Sequence, residues 1–442
     1  MKYATSIVVA FMLALTGSFT GAIAQAQQAP QQIPATLDQA NRRAVVEAAA
    51  KMLRERYVFP DVGDQAARAI ESAFGAGDYN GLDQPRAFAL RLTEDLRAVA
   101  KDKHLRVNAP GAPAGVPAAA PPRADGGVTR ADILDGNVGY IEVVGFPNGA
   151  NDPVDRAMAA LQKTRALIVD VRRNGGGSPE SVSYLVSYFV RSAEPVHINT
   201  FINRNPGTET FRSTDFFSKT TPFSYAGKPV YVLTSVRTFS GGEEFAYDMQ
   251  VMDLAELVGE TTGGGANPGG TAPLAAGLTM FIPGGRAKNP ITGTNWEGVG
   301  VIPDVAVSSE NALKVALERL GVSRAGVEID AVSQSRVFGP RTTRQPGGEA
   351  TVRRVSEELA RGEPNYDLLT PQMAEVTRQQ LTTLKERFSA LGPVQSVTFV
   401  EVGPSGGDVY EVRYANGGLR WTISLTSDGK LANAGLQPLT SK

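Results

Sequence analysis

Ser240, in "SVRTFSGGEEFAYDM", stands between two runs of different character. Val230-Tyr231-Val232-Leu233-Thr234 is β-branched and apolar, while Phe245, Met249 and Met252 follow at helical spacing. A serine hydroxyl attacks only when a base takes its proton, another group orients that base, and donors wait for the oxyanion. Ser240 and Glu243 also satisfy a capping box, so the same residues can be read as a plain helix start. The stretch is not a GxSxG elbow, because Thr238 occupies the first glycine position.

The search for a base is short, since the chain has only two histidines. His104, in "KDKHLRV", lies in a loop flanked by Lys103 and Arg106, as a base or as a structural or simply exposed side chain. His197, in "EPVHINTF", falls in an alternating strand and reads as a sheet-face side chain. A histidine base charges below about pH 6.5, which would suppress the rate there. Oxyanion donors have two sources. The amides of Gly241 and Gly242 open a helix. In "DVRRNGGGSPE", three glycines follow a buried-type strand and precede Pro179, which suits a first helical position. That turn has neither the Lys-Ser/Thr of a Walker loop nor GxGxxG spacing.

Composition excludes other chemistry. Cysteine is absent, so there are no disulfides, thiol nucleophiles or cysteine metal sites. Two histidines far apart and no cysteine predict no metal-ligand cluster, and no metal or cofactor is expected. Lysine plus arginine number 44 against 45 acidic residues, which gives no electrostatic footprint for nucleic acid.

These residues need elements to position them, and 442 residues are too many for one core. Lys2, the apolar run Ile7 to Leu15 and a small-residue site ending at Ala24 or Ala26 predict a signal peptide over 1–24. The mature chain is then expected to be secreted or periplasmic, with no membrane span. Residues 36–107 read as a helical domain, with Val45, Val46, Ala49, Met52 and Leu53 near a 3.6 period. A Pro/Ala/Gly-rich linker over 108–131 follows. From 132 to 322, strands such as Ala166-Leu167-Ile168-Val169 alternate with helical runs and predict an α/β core with parallel pairing. Residues 323–363 are polar and weakly patterned, and read as a second linker with at most one short helix. Residues 364–442 combine a long helix with four strand-like runs and hairpin turns, an α+β domain similar to the nuclear-transport-factor-2 (NTF2)-like cone.

Four segments taken together, "DVRRNGGG", "TFSGGEEF", "GETTGGGANPGG" and "NPITGTNWEGVGVIPD", resemble the S41 serine peptidases in their order. The likeness is to the tricorn-core and interphotoreceptor-retinoid-binding-protein branch, over roughly Thr36 to Val307. It implies a ClpP/crotonase-like β-α superhelical core and a peptide or protein substrate. It implies Ser240 as nucleophile, His104 as base and Glu297 as the carboxylate of the catalytic set. It also implies oxyanion donors at Gly176 and Gly241, and Glu243 as a positioning or capping group. The C-terminal processing branch places a lysine base in the segment equivalent to Gly259–Asn267, which here has none. Retinoid-binding relatives make an apolar-ligand or protein-binding module on the same fold the alternative. Oligomeric state is left open.

Overall fold

Residues 34–110, 124–322, 333–426 and 428–439 are described by the computed structural model. The expected signal peptide lies outside these residues, as does the middle of the Pro/Ala/Gly-rich stretch. No described helix is long and apolar enough to cross a membrane.

The helical period near the start of the chain is realised as α1 (Gln39–Arg56), α2 (Pro60–Ala76) and α3 (Pro85–Ala100). Asp38 caps α1 by accepting the Asn41 amide at 2.7 Å. Pro60 and Pro85 occupy first-turn positions, where a missing N–H costs nothing. Gly77 ends α2 with φ +85°. The apolar faces of these helices share a core with Leu105, Val107, Leu278, Met280 and Ile282. The last five belong to or flank a small antiparallel sheet of β1 (Arg106–Asn108), β9 (Gly269–Pro273) and β10 (Thr279–Pro283), ordered β1-β10-β9.

The α/β expectation holds for the central layer. Its seven strands run β12-β8-β7-β4-β3-β2-β13. Five of them, β3 (Val138–Val143), β4 (Ala166–Asp170), β7 (Val230–Thr234), β8 (Glu256–Gly259) and β12 (Val305–Ala306), pair in parallel. Two antiparallel strands, β2 (Val128–Leu134) and β13 (Ser333–Phe338), close one side. Every residue of β4 is buried, and Leu167, Ile168 and Val169 are each worth roughly 1.5–3 kcal/mol in removed apolar surface. Helices α4 (Asn151–Leu161), α5 (Pro179–Ser187) and α6 (Gly241–Val251) pack their apolar residues against this sheet, and α7 (Ser309–Arg319) contributes to a second cluster. A hairpin of β5 (His197–Arg204) and β6 (Phe211–Phe217) pairs with β11 (Gly285–Lys288).

The stretch 323–363 is not the plain linker its weak pattern suggests. It supplies β13 to the central sheet and α8 (Gly348–Arg361), whose Val352, Val355 and Leu359 are buried at helical spacing. The expectation failed because β13 is a short edge strand paired through two register shifts, which breaks period-2 alternation. Beyond it, α8 and α9 (Pro371–Leu391) share a core with an antiparallel sheet of β14 (Val394–Val402), β15 (Asp408–Tyr414), β16 (Gly417–Leu425) and β17 (Leu431–Pro438). Two helices, rather than the expected one, therefore meet this sheet.

Candidate active site

The parallel strands β4 and β7 end side by side, and the loops that leave them carry the glycine turn and Ser240. Asp170, at the end of β4, is buried and held by the Tyr140 hydroxyl at 2.7 Å and the Arg172 guanidinium at 2.5 Å. The chain then turns at Asn174, which is fully buried and bonds in three directions. Its Nδ2 donates to the Val143 carbonyl at 3.0 Å, and its Oδ1 accepts the Gly176 amide at 2.8 Å. Its carbonyl accepts the Phe239 amide at 2.9 Å, directly before Ser240. Asn174 thus ties the glycine turn to the start of α6.

Ser240 sits at φ +54°, ψ −121°, a conformation that L residues rarely adopt. Such strain costs roughly 1–3 kcal/mol and must be held by its surroundings. Glu243 supplies part of that hold. Its carboxylate accepts four donors: the Ser240 amide (2.8 Å), the Gly265 amide (2.8 Å), the Gly264 amide (2.5 Å) and the Thr262 hydroxyl (2.5 Å). Burial raises its pKa despite these bonds.

Glycine at 176 is required by packing as well as by its φ of +105°. A Cβ there would lie 2.7 Å from Ser240 Cβ, 2.9 Å from the Gly241 nitrogen and 3.1 Å from Ser240 Oγ. The Gly176 amide, expected as an oxyanion donor, is already spent on Asn174. Among the described residues, the amides of Gly177 and Gly241 meet no acceptor, and a Cβ on Gly241 would lie 2.9 Å from the Gly177 nitrogen.

Of the readings open to His104, simple exposure is excluded. The residue is 5% exposed, between the rings of Phe239 (4.6 Å between centroids) and Phe281 (5.7 Å). Burial, then the charges of Arg106 and Arg97, push its pKa down to about 4, below the value near 6.5 expected from the sequence. Its Nδ1 is buried without a partner among the described residues. A Cβ on Gly265 would lie 2.8 Å from His104 Cε1, so the Glu243-bound loop abuts the imidazole. No direct hydrogen bond joins Ser240 and His104 among the described residues. The nearby Lys103 ammonium donates to the Gly263 carbonyl at 2.5 Å, bracing that loop.

Glu297 lies in the same pocket. Its Oε2 accepts the Ala266 amide at 2.5 Å, and its Oε1 is buried without a partner among the described residues. Burial, and then the charge of Asp102, push its pKa up to about 7. Asp102 was missed by the sequence reading. It is 1% exposed and accepts the His104 amide (2.9 Å), the Tyr57 hydroxyl (3.1 Å) and Asn267 Nδ2 (2.9 Å). Burial raises its pKa as well. The one signal for it was its spacing two residues before His104, which suits a side chain folding back onto a backbone amide. Ligand-type atoms of Asp102, His104 and Glu297 lie within 4.8 Å of one another. The expected absence of a ligand cluster is therefore corrected, because Asp102, two residues before His104, and Glu297, from a distant loop, meet the one buried histidine.

His197 remains apart from this pocket. It starts β5, stacks on Phe217 and bonds Thr200 Oγ1 at 2.9 Å, as a sheet-face side chain would.

Comparison with known proteins adds three findings. A curated relative, the carboxy-terminal processing protease CtpB of Bacillus subtilis (strain 168), is 26% identical over 211 residues, which is 45% of this chain and 42% of that protein's length. Among solved structures, a Parabacteroides merdae ATCC 43184 protein provisionally described as a peptidase is 21% identical, with a TM-score of 0.48 over 63% of this chain and 96% of that one. The tricorn protease is 15% identical, with a TM-score of 0.43 over 64% of this chain and 36% of that one. Residues 24–129, which include His104, match the N-terminal domain of peptidase S41 in eukaryotic IRBP. Residues 137–307, which include Gly176, Ser240 and Glu297, match peptidase family S41. The two matches span most of the chain, and the chain belongs to peptidase family S41.

Proposed function

We propose that the chain is a serine peptidase that hydrolyses peptide bonds through an acyl-enzyme on Ser240. The observation that carries this reading is the approach of the glycine turn to Ser240, with a Gly176 Cβ position 2.7 Å from that of the serine. It sets the acceptor-free amides of Gly177 and Gly241 beside a hydroxyl on a strained helix start. Gly177 then takes the donor role first expected of Gly176, whose amide is engaged. Ser240 Oγ attacks the scissile carbonyl and His104 takes its proton, then returns it to the leaving amine. The carbonyl oxygen, now charged, is met by the two amides. Glu297, as a carboxylate, favours the imidazolium that forms in between, and Asp102 orients the His104 backbone. A water then releases the acyl group with the proton path reversed.

The substrate in this reading is a peptide or protein, and the chain acts outside the cytoplasm after removal of the segment 1–24. The C-terminal unit of α8, α9 and β14–β17 is read as the NTF2-like domain. The test is labelling of the mature protein with a serine-directed fluorophosphonate, with the modified residue mapped by mass spectrometry. Label on Ser240, and loss of both label and peptide cleavage in Ser240→Ala, are expected. Full cleavage by Ser240→Ala overturns the assignment. N-terminal sequencing of the exported protein checks the cleavage site.

A further inference from the structure

The His104 pocket has a capacity beyond proton transfer. Asp102, His104 and Glu297 arrive from two loops, the one between α3 and β1 and the one between β11 and β12, and offer one ligand-type atom each within 4.8 Å of one another. Two of the pocket's buried atoms, His104 Nδ1 and Glu297 Oε1, have no hydrogen-bond partner among the described residues. A buried polar atom without a partner ordinarily signals a group that belongs there. One imidazole nitrogen and two carboxylate oxygens form a donor set suited to zinc and similar ions, with a fourth position left open. Calcium and magnesium want more oxygens than the pocket offers. The outer contacts also fit. Tyr57 and Asn267 orient Asp102, and the Ala266 amide orients Glu297. Bonds of about 2.1 Å to a tetrahedral ion put ligand atoms about 3.4 Å apart. The three side chains need only close inward by about an ångström.

We propose that Asp102, His104 and Glu297 bind one divalent transition-metal ion, with zinc the fitting case, as a reversible inhibitor of the peptidase. While ligating, His104 cannot accept a proton from Ser240, and Glu297 cannot favour the imidazolium. The binding half stands on geometry alone; the inhibitory half rests on the serine-peptidase reading.

The experiment is a calorimetric titration of zinc chloride into untagged Ser240→Ala protein, repeated with Glu297→Gln, Asp102→Asn or His197→Ala added. One equivalent per chain is expected, weakened at least tenfold by Glu297→Gln and by Asp102→Asn, and unchanged by His197→Ala. Thermal melting shows which of the two carboxylate variants is folded, and a folded one suffices. The competing site is His197 with Asp215, 3.6 Å apart at the surface. Binding that survives the carboxylate change in a folded variant overturns the proposal, whether or not His197→Ala removes it, as does no binding at all. Fluorophosphonate labelling of the wild-type protein then tests inhibition: zinc should slow it at least tenfold and a chelator should restore it. Binding without slower labelling overturns the inhibitory half. Binding in a protein that never labels overturns the serine reading and leaves the ion site standing.

Discussion

The Ser240 amide and the Gly265 amide share one acceptor, Oε2 of Glu243, at 2.8 Å each. The same residue therefore fixes the nucleophile's backbone and the loop that abuts His104. Glu243→Gln replaces an acceptor-only group with one that is half donor, and at least one of four N–H or O–H partners must face an amide NH2. Leaving a buried donor unmet costs roughly 1–3 kcal/mol. The variant should melt several degrees lower and label at Ser240 at least tenfold more slowly. Unchanged labelling would show that Glu243 merely caps the helix.

Gly241→Ala should weaken oxyanion binding far more than folding. Alanine is a good residue in a first helical turn, so the fold should persist. Its Cβ would lie 2.9 Å from the Gly177 nitrogen, in the space between the two open amides. Loss of an oxyanion donor costs roughly 10²–10³ in kcat. A loss of that size in kcat, with a melting temperature lowered by a few degrees as the Gly177 backbone gives way, is the expected result. Gly176→Ala should lose both, because its Cβ meets Ser240 itself and its φ of +105° disfavours any side chain.

The rate should depend on pH through Glu297 before it depends on His104. Glu297 is held up to about 7 and His104 down to about 4. Catalysis in the proposed scheme needs the carboxylate and the neutral imidazole. As pH falls, kcat/KM should first drop through about 7, as Glu297 takes a proton. Glu297→Gln should be slower and should lack that inflection. A wild-type profile flat from pH 5 to 8 would contradict the role given to Glu297.

Stability should carry a separate signature from α6. Glu244 and Asp248, one helical turn apart, are 2% and 0% exposed. Asn199 bonds one and Asn289 the other, while Asp248 Oδ2 has no partner among the described residues. Burial pushes Glu244 up to about 8, and burial with the Glu244 charge raises Asp248. The folded chain then keeps a proton that the unfolded chain releases above the usual carboxylate range. Stability is fully present below about 4.5 for this group and is lost as pH rises through about 8. Melting temperature should fall between about pH 4.5 and 8 and level off above that, and Glu244→Gln should flatten the decline. A steeper decline in the variant would refute the sign.

The strand-turn-helix passages around Asn174 and Ser240 were legible because their chemistry is local: a buried strand, a run of glycines and a helix start. Asp102 was not, because its partners Tyr57 and Asn267 lie 45 and 165 residues away in the chain. The burial of His104 was hidden for the same reason, since its ring partners are Phe239 and Phe281. The glycine turn was readable as a donor source, but the open amide is set by the side chain of Asn174, which no spacing rule reveals. The strand β13 escaped because an edge strand with bulges has little alternation to read.

The imidazole and the hydroxyl are carried by different hydrophobic bodies. His104 precedes Leu105 and Val107, which pack with α1–α3, whereas Ser240 heads α6, whose Phe245 and Met249 belong to the central layer. On the proposed roles, a chain with only one of these bodies formed holds a nucleophile with no proton acceptor, or the reverse. Hydrolytic power, on those roles, requires both bodies to be formed and packed together.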